Sequence, residues 1–338
     1  MAPKFRGGSD DWLDDEERSS RVSHGRGARK PAPKGEELPL TEANATVIEV
    51  HPKLCRVRMD EGGEALCSFR RAGVTRQSET RERTFVTVGD RVKAVRSSPD
   101  AGVVEAVCAR RNRLCRPAPG REEGSRIHVI AANLDLAVVV VSTREPEFSA
   151  GLLDRFLVGA HAGGVTPLIC ITKMDLVGDP ARPWSVYRDA GYAVFETCSK
   201  TGFGVDALRD ELTGKTVLFC GQSGVGKTSI LRRLTGHDIG KVAEISESTG
   251  RGRHTTTVAR MLDGPEGSLW IDSPGVREFG LEGIVGPDDL ASYFPEFRGI
   301  RCERDGCQHA DEPGCAVKYL PRYLVYQRIL QSLRNGEG

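Results

Sequence analysis

No apolar stretch of this 338-residue chain is long enough to cross a bilayer; the longest, LAVVVVS at 136–142, falls far short of the roughly 20 residues a spanning helix needs. The opening residues, MAPKFRGGSDDW, lack the apolar centre of a secretory signal. These absences argue against a helical membrane protein and predict a soluble, cytoplasmic chain with no membrane partner. A disulfide framework is missing as well. Cys55, Cys67, Cys108, Cys115, Cys170, Cys198 and Cys220 are scattered, whereas Cys302, Cys307 and Cys315 gather beside a histidine. That usage suits a reducing compartment and one metal site. Net charge is also nearly absent, at +1, but its distribution is uneven. Between Thr41 and about Pro119 basic residues outnumber acids, with Arg70, Arg71, Arg76, Arg81 and Arg83 close together and Arg110, Arg111, Arg113 and Arg116 following. A basic module implies an anionic partner, and a merely solvated surface is the other reading of the same run.

No internal repeat is apparent, and the texture changes three times along the chain. Residues 1–40 carry an acidic block, DDWLDDEE, then a basic stretch rich in Gly, Ser and Pro with almost no apolar periodicity, which predicts a disordered tail. Residues 41–118 hold short β-type runs, NATVIEV, LCRVRM, EALCSF, FVTV, DRVKAV and GVVEAV, separated by DEGG, VGD and SPDAG turns. Five or so short strands predict a small barrel. Its basic character favours an oligonucleotide-binding (OB) barrel over an SH3-like one. Residues 119–288 alternate strand and helix patterns, which predicts a parallel sheet covered on both faces. Residues 289–338 form a small, mainly helical end with the cysteine cluster and an amphipathic helix, YLVYQRILQSL.

The chemistry begins at GQSGVGKTS, where Gly221, Gln222, Ser223, Gly224, Val225, Gly226, Lys227 and Thr228 match G-x-x-x-x-G-K-[ST] and Ser229 follows. An apolar strand, TVLFC, precedes it and a helix follows, which is the context that a phosphate loop requires. Glycines let backbone N–H groups converge on phosphate oxygens, Lys227 reaches the β- and γ-phosphates, and Thr228 ligates Mg²⁺. Downstream, IDSPG offers Asp272 to hold magnesium through water and Gly275 to give its N–H to the γ-phosphate. Between these elements TGRGRHTTT has the composition of a switch segment, with Thr255 or Thr256 open to a second magnesium contact.

What is lacking after Asp272 is any loop that reads a base. Two such loops stand before the phosphate loop instead. TPLICITKMD sets Thr172, Lys173 and Asp175 at a strand end, where the carboxylate can accept from guanine N1 and N2 while the lysine stem packs along the base. FETCSKTGFG follows, with Cys198, Ser199 and Lys200 placed for backbone N–H groups to meet guanine O6. Adenine offers neither pairing, so the nucleotide is expected to be GTP. The order of elements is therefore that of a circularly permuted guanine-nucleotide fold, its usual ends joined through TGK at 213–215.

In CERDGCQHADEPGC, Cys302, Cys307, His309 and Cys315 follow C-x4-C-x-H-x5-C. Three thiolates and an imidazole fill a tetrahedral zinc with no open position, hence a structural ion.

In this order, TKMD, TCSKTG, GQSGVGKTS, RGRHTTT, DSPG and the Cys/His cluster, behind a basic barrel, resemble the RsgA (YjeQ) family over about residues 41–335. The resemblance implies a GTPase that binds the small (30S) ribosomal subunit and its 16S rRNA late in maturation. It also implies hydrolysis of GTP to GDP and phosphate on stimulation by the subunit, one structural Zn²⁺, Mg²⁺ bound with GTP, and a monomer in the bacterial cytoplasm. His254 is the family's candidate for positioning water; an RNA phosphate contact is its other open role, since Arg251 and Arg253 flank it. Two residues depart from ordinary GTPases. Val276 stands where a water-positioning glutamine would follow D-x-x-G, so unaided hydrolysis is expected to be slow. Thr172 replaces the more frequent asparagine, which leaves Asp175 to read the base. The alternative is a nucleotide-gated RNA-binding scaffold in which hydrolysis is incidental.

Overall fold

The computed structural model describes residues 38–51, 53–69, 86–117, 127–178, 182–236, 259–272, 280–281 and 283–336. The expected tail lies outside these residues except at its end, where Leu38 bridges to Cys108. Five strands follow: β1 (Ala45–Val50), β2 (Leu54–Met59), β3 (Glu64–Phe69), β4 (Arg91–Ser98) and β5 (Ala101–Val107). In β2 every second residue, Cys55, Val57 and Met59, is buried while Leu54, Arg56 and Arg58 face outward, as a strand period of two requires. Pairing runs β1-β2-β3-β5-β4 and closes through β4 onto β1, with β3 and β5 parallel. The result is the expected five-stranded barrel, filled by Ala45, Val47, Val57, Val92 and Val104.

The described part of the FVTV run, residues 86–88, does not become a barrel strand. Val88 makes only a single bridge to Ala131, and the Thr87 hydroxyl donates to the carbonyls of Val129 and Ile130 at 3.2 and 2.9 Å. This segment ties the barrel to a separate hairpin, β6 (Arg113–Pro117) with β7 (Ile127–Ala132). A glycine is needed at 89, where φ is 87° and a Cβ would stand 2.1 Å from the Ala132 carbonyl oxygen. Arg110 is likewise not part of a basic face. Its side chain is 3% exposed and bonds both oxygens of Asp90, at 2.7 and 2.9 Å.

The central sheet comprises β8 (Leu136–Ser142), β9 (Thr166–Thr172), β10 (Val194–Glu196), β11 (Thr216–Cys220), β12 (Arg260–Asp263) and β13 (Leu269–Asp272). Strands β10-β9-β8-β11-β13 are all parallel, and β12 returns antiparallel to β13. Every residue of β8 is buried, the reason for its unbroken apolar sequence. Ala137, Val139 and Val141 pack with α1 (Ala150–Ala162), while Leu136, Val138 and Val140 pack with α3 (Val205–Leu212) and α4 (Lys227–Thr235). The short α2 (Ser185–Asp189) joins the first of these layers through Tyr187. Beyond it, 3-10 turns at Leu290–Tyr293, Pro295–Phe297 and Ala316–Tyr319 lead to α5 (Tyr323–Arg334), which packs on α1.

Candidate nucleotide and zinc sites

The carboxyl ends of β8, β9, β10, β11 and β13 converge on one edge of the sheet, where an open α/β sheet binds its ligands. From β11 the chain turns at Gly221, whose φ of 141° and 2.2 Å approach to the Val140 carbonyl oxygen admit no side chain. The loop then enters α4 through Gly226 in the left-handed region, leaving the first helical N–H groups directed into the loop. Ser223, Gly224, Thr228 and Ser229 are exposed, whereas Val225 is buried and anchors the loop. Lys227 folds back over it. Its Nζ donates to the carbonyls of Gly221 and Gln222 at 2.6 and 2.8 Å. Burial holds this ammonium below its usual range, and the nearby Asp272 carboxylate opposes that shift. Burial also pushes the Asp272 carboxyl up, against Lys227. Asp272 ends β13 and lies opposite Phe219 of β11, just before the phosphate loop. Thr228 at the start of α4 and Asp272 at the end of β13 offer hard oxygen donors of the kind magnesium favours.

The TKMD loop is fastened to the phosphate loop by Thr172, the residue that stands where an asparagine is more frequent. The Thr172 hydroxyl, 4% exposed, reaches the Val225 carbonyl at 2.5 Å and that of Val141 at 3.2 Å. Lys173 follows in the left-handed region with its carbonyl accepting from the Thr143 hydroxyl at 2.8 Å and its ammonium on the Glu145 carbonyl. Asp175 is gripped by the next loop: Lys200 Nζ lies 2.9 Å from one oxygen and the Cys198 thiol 3.3 Å from the other. The Lys200 ammonium, with help from that thiol, holds the Asp175 carboxyl below the usual carboxylate range. The backbone N–H of Cys198, one of the three expected to meet guanine O6, is instead bonded to the Phe203 carbonyl at 2.9 Å. His254, Thr255, Thr256, Gly275 and Val276 lie outside the described residues, as do Arg251 and Arg253 and the barrel arginines Arg70, Arg71, Arg76, Arg81 and Arg83.

At the C-terminal end the donor atoms of Cys302, Cys307, His309 and Cys315 all lie within 4.8 Å of one another. His309 Nδ1 stands 3.6, 3.5 and 3.5 Å from the sulfurs of Cys302, Cys307 and Cys315. A tetrahedral zinc with its ordinary Zn–S and Zn–N bonds has S···N edges of about 3.5 Å, so the set fits that ion. His309 and Asp311 both adopt positive φ, which curls the loop around the donors. Ala316 N–H points at Cys302 Sγ (3.4 Å), and Glu312 accepts from the N–H groups of Gln308 and Ala310. Phe297 and Tyr326 flank the imidazole edge-on. Metal analysis is expected to find one zinc per chain, and Cys307→Ser to lose it together with the tertiary packing of α5. Full zinc occupancy in that variant would show that this cluster is not the metal site.

The family model described as RsgA GTPase matches residues 107–282. A Pseudomonas putida protein named "Small ribosomal subunit biogenesis GTPase RsgA" is 40% identical over 258 residues, 74% of each chain. A Photorhabdus laumondii protein of the same name is 36% identical over 300 residues, 82% of this chain and 81% of its own. Among solved structures, YjeQ from Thermotoga maritima aligns with a TM-score of 0.66 at 29% identity, covering 86% of this chain and 98% of that one. YloQ, a circularly permuted GTPase, gives 0.61 at 27% identity, covering 90% and 98%. With base loops ahead of the phosphate loop in one site, and relatives of this closeness over most of its length, the chain belongs to the RsgA family of circularly permuted GTPases.

Proposed function

We propose that this protein binds the small ribosomal subunit through its 16S rRNA, as a cytoplasmic monomer, and hydrolyses GTP when the subunit engages it. The observation that carries the nucleotide half is the Thr172–Val225 bond, which makes the guanine-reading and phosphate-cradling loops a single unit. In this reading Thr172, Lys173, Asp175, Cys198, Ser199 and Lys200 form the base subsite. Gly221 to Ser229 cradle the phosphates, Lys227 stabilises charge that develops on the β,γ-bridge, and Thr228 and Asp272 hold Mg²⁺. When bound with GTP, magnesium would supply neutralisation of the phosphate charge. Thr255 or Thr256 and Gly275 complete the γ-phosphate contacts, and His254 positions the attacking water. The names of the relatives support the ribosomal half, as does the barrel of residues 41–118. Domain limits at 119–288 for the GTPase and 289–338 for the zinc-binding end follow the changes in sequence texture.

Val276 in place of a glutamine makes a sharp expectation possible: turnover by the protein alone is slow, because the position after D-x-x-G has no side chain that can orient water, and His254 takes up that part only when the subunit engages the switch. Steady-state GTP hydrolysis measured alone and with purified small subunits should rise by about a hundredfold or more with subunits, in the manner of an activating partner. Rapid turnover without subunits, or indifference to them, would overturn the proposal.

A further inference from the structure

The barrel and the nucleotide site share one sheet. Register carries a single cross-strand row from the magnesium side into the barrel: Asp272 lies opposite Arg260, Arg260 opposite Glu49, and Glu49 opposite Arg56. Alternate charges line this row, and Arg56 Nε closes on Glu49 at 3.4 Å. A second row runs beside it. Arg58 of β2 grips both carboxylate oxygens of Asp263 in β12, at 2.5 and 3.1 Å, and touches Glu64 of β3 at 3.1 Å. Beneath these rows Ile48 of the barrel strand is 5% exposed and belongs to the same core as Met261 and Ile271, not to the barrel's own. A groove of about 140 Å³ between Ile48, Arg56, Arg58, Arg260 and Asp263 marks the seam.

The β12–β13 hairpin therefore has two partners. On one side β13 pairs with β11, which leads into the phosphate loop; on the other β12 pairs with the barrel. We infer that Arg58 and Asp263 are positioning residues for the nucleotide site: their clamp fixes the hairpin whose last residue, Asp272, holds magnesium. This rests on the assignment of Asp272 as a magnesium ligand. The connection works in both directions, because a coupling free energy between two sites is reciprocal. A ligand that shifts β1 and β2 alters the grip on Mg²⁺, and nucleotide with Mg²⁺ alters the barrel's set.

The clamp is partly exposed, with Arg58 at 32% and Asp263 at 68% side-chain exposure, so either partner can be removed without opening a core. The test titrates Mg²⁺ into the full chain with a fluorescent GTP analogue and no RNA, for wild type, Arg58→Ala, Asp263→Ala and the double variant. Each single change should raise the Mg²⁺ midpoint ~threefold, the scale of one exposed ion pair, and the double variant should go no further than either single. Binding in excess chelator should be the same for all four. Amide exchange of Leu269–Asp272 in the nucleotide-free protein should quicken in the single variants by a similar factor. Unmoved midpoints in the single variants, or additive shifts in the double, overturn the inference while leaving the site assignment intact. If wild-type binding ignores Mg²⁺, the assignment of Asp272 has failed. Amide exchange then decides the clamp alone: faster exchange supports it and unchanged exchange removes it.

Discussion

Replacing Lys227 with alanine is expected to slow GTP hydrolysis by about a hundredfold to a thousandfold, the usual cost of deleting one preorganised charge donor from a phosphoryl-transfer site. The Lys227 side chain lies across its own loop, on the Gly221 and Gln222 carbonyls, and close enough to Asp272 for each charge to oppose the shift that burial imposes on the other. Held over the loop that cradles the phosphates, the ammonium is positioned for their oxygens, so little reorganisation opposes its action. Alanine removes no apolar packing that the core depends on, because the loop is anchored through Val225 and the helix through Ile230, Leu231 and Leu234. The variant should therefore melt with the wild type, bind GTP more weakly and fail at turnover both with and without small subunits. Single-turnover hydrolysis checks this, and a rate within tenfold of wild type would remove Lys227 from the machinery.

The largest effect on stability is expected at Arg322. This guanidinium, on a residue 3% exposed, joins the C-terminal end to the GTPase sheet. Its Nε and Nη2 bond Asp154 of α1 at 2.9 and 2.5 Å, and Nη1 bonds both oxygens of Glu296 at 2.9 Å. The rings of Tyr187, Tyr192 and Phe294 lie 5.0, 5.2 and 4.8 Å from its centre. Tyr187 also donates its hydroxyl to the second oxygen of Asp154 at 3.0 Å. Asp154 is fully buried, and burial pushes its carboxyl up against the restraint of Arg322. Alanine at 322 strands that carboxylate, which costs roughly 3–5 kcal/mol. For a chain of this size the melting temperature should fall by about 10 °C. Lysine should rescue little, since a point charge cannot serve two carboxylates and stack on three rings. A fall of less than about 3 °C for Arg322→Ala, read by differential scanning calorimetry, would mean the network contributes no net anchoring.

Much of the site was legible because its signals are local. GQSGVGKT specifies a loop through the glycines its backbone needs, and at Gly221 the approach of Val140 allows nothing else. LAVVVVS reads as a doubly covered strand because every residue meets one of two cores. The Cys/His spacing holds all its donors within a short stretch, so the cluster survives any uncertainty about the fold around it. Less legible was the fate of individual charges. Arg110 counts toward a basic face in sequence and is buried on Asp90 in the fold. FVTV has the apolar alternation of a strand, yet Thr87 and Gly89 bind it to the β6–β7 hairpin instead. Cys198 was placed for its N–H and contributes its thiol to Asp175.

By itself the sequence determined most of the elements, their permuted order, and the motif spacings on which the proposed phosphate, base and zinc roles rest. Each of these is written in spacings of a few residues, the range over which side-chain period and backbone turn act. Tertiary structure alone decided how those parts are joined. Thr172 meets Val225 across 53 positions, Arg322 meets Asp154 across 168, and Arg58 meets Asp263 across 205. A hydroxyl or a guanidinium has many possible partners along a chain, and only packing of the apolar faces brings one of them within bonding distance while excluding the water that would otherwise replace it.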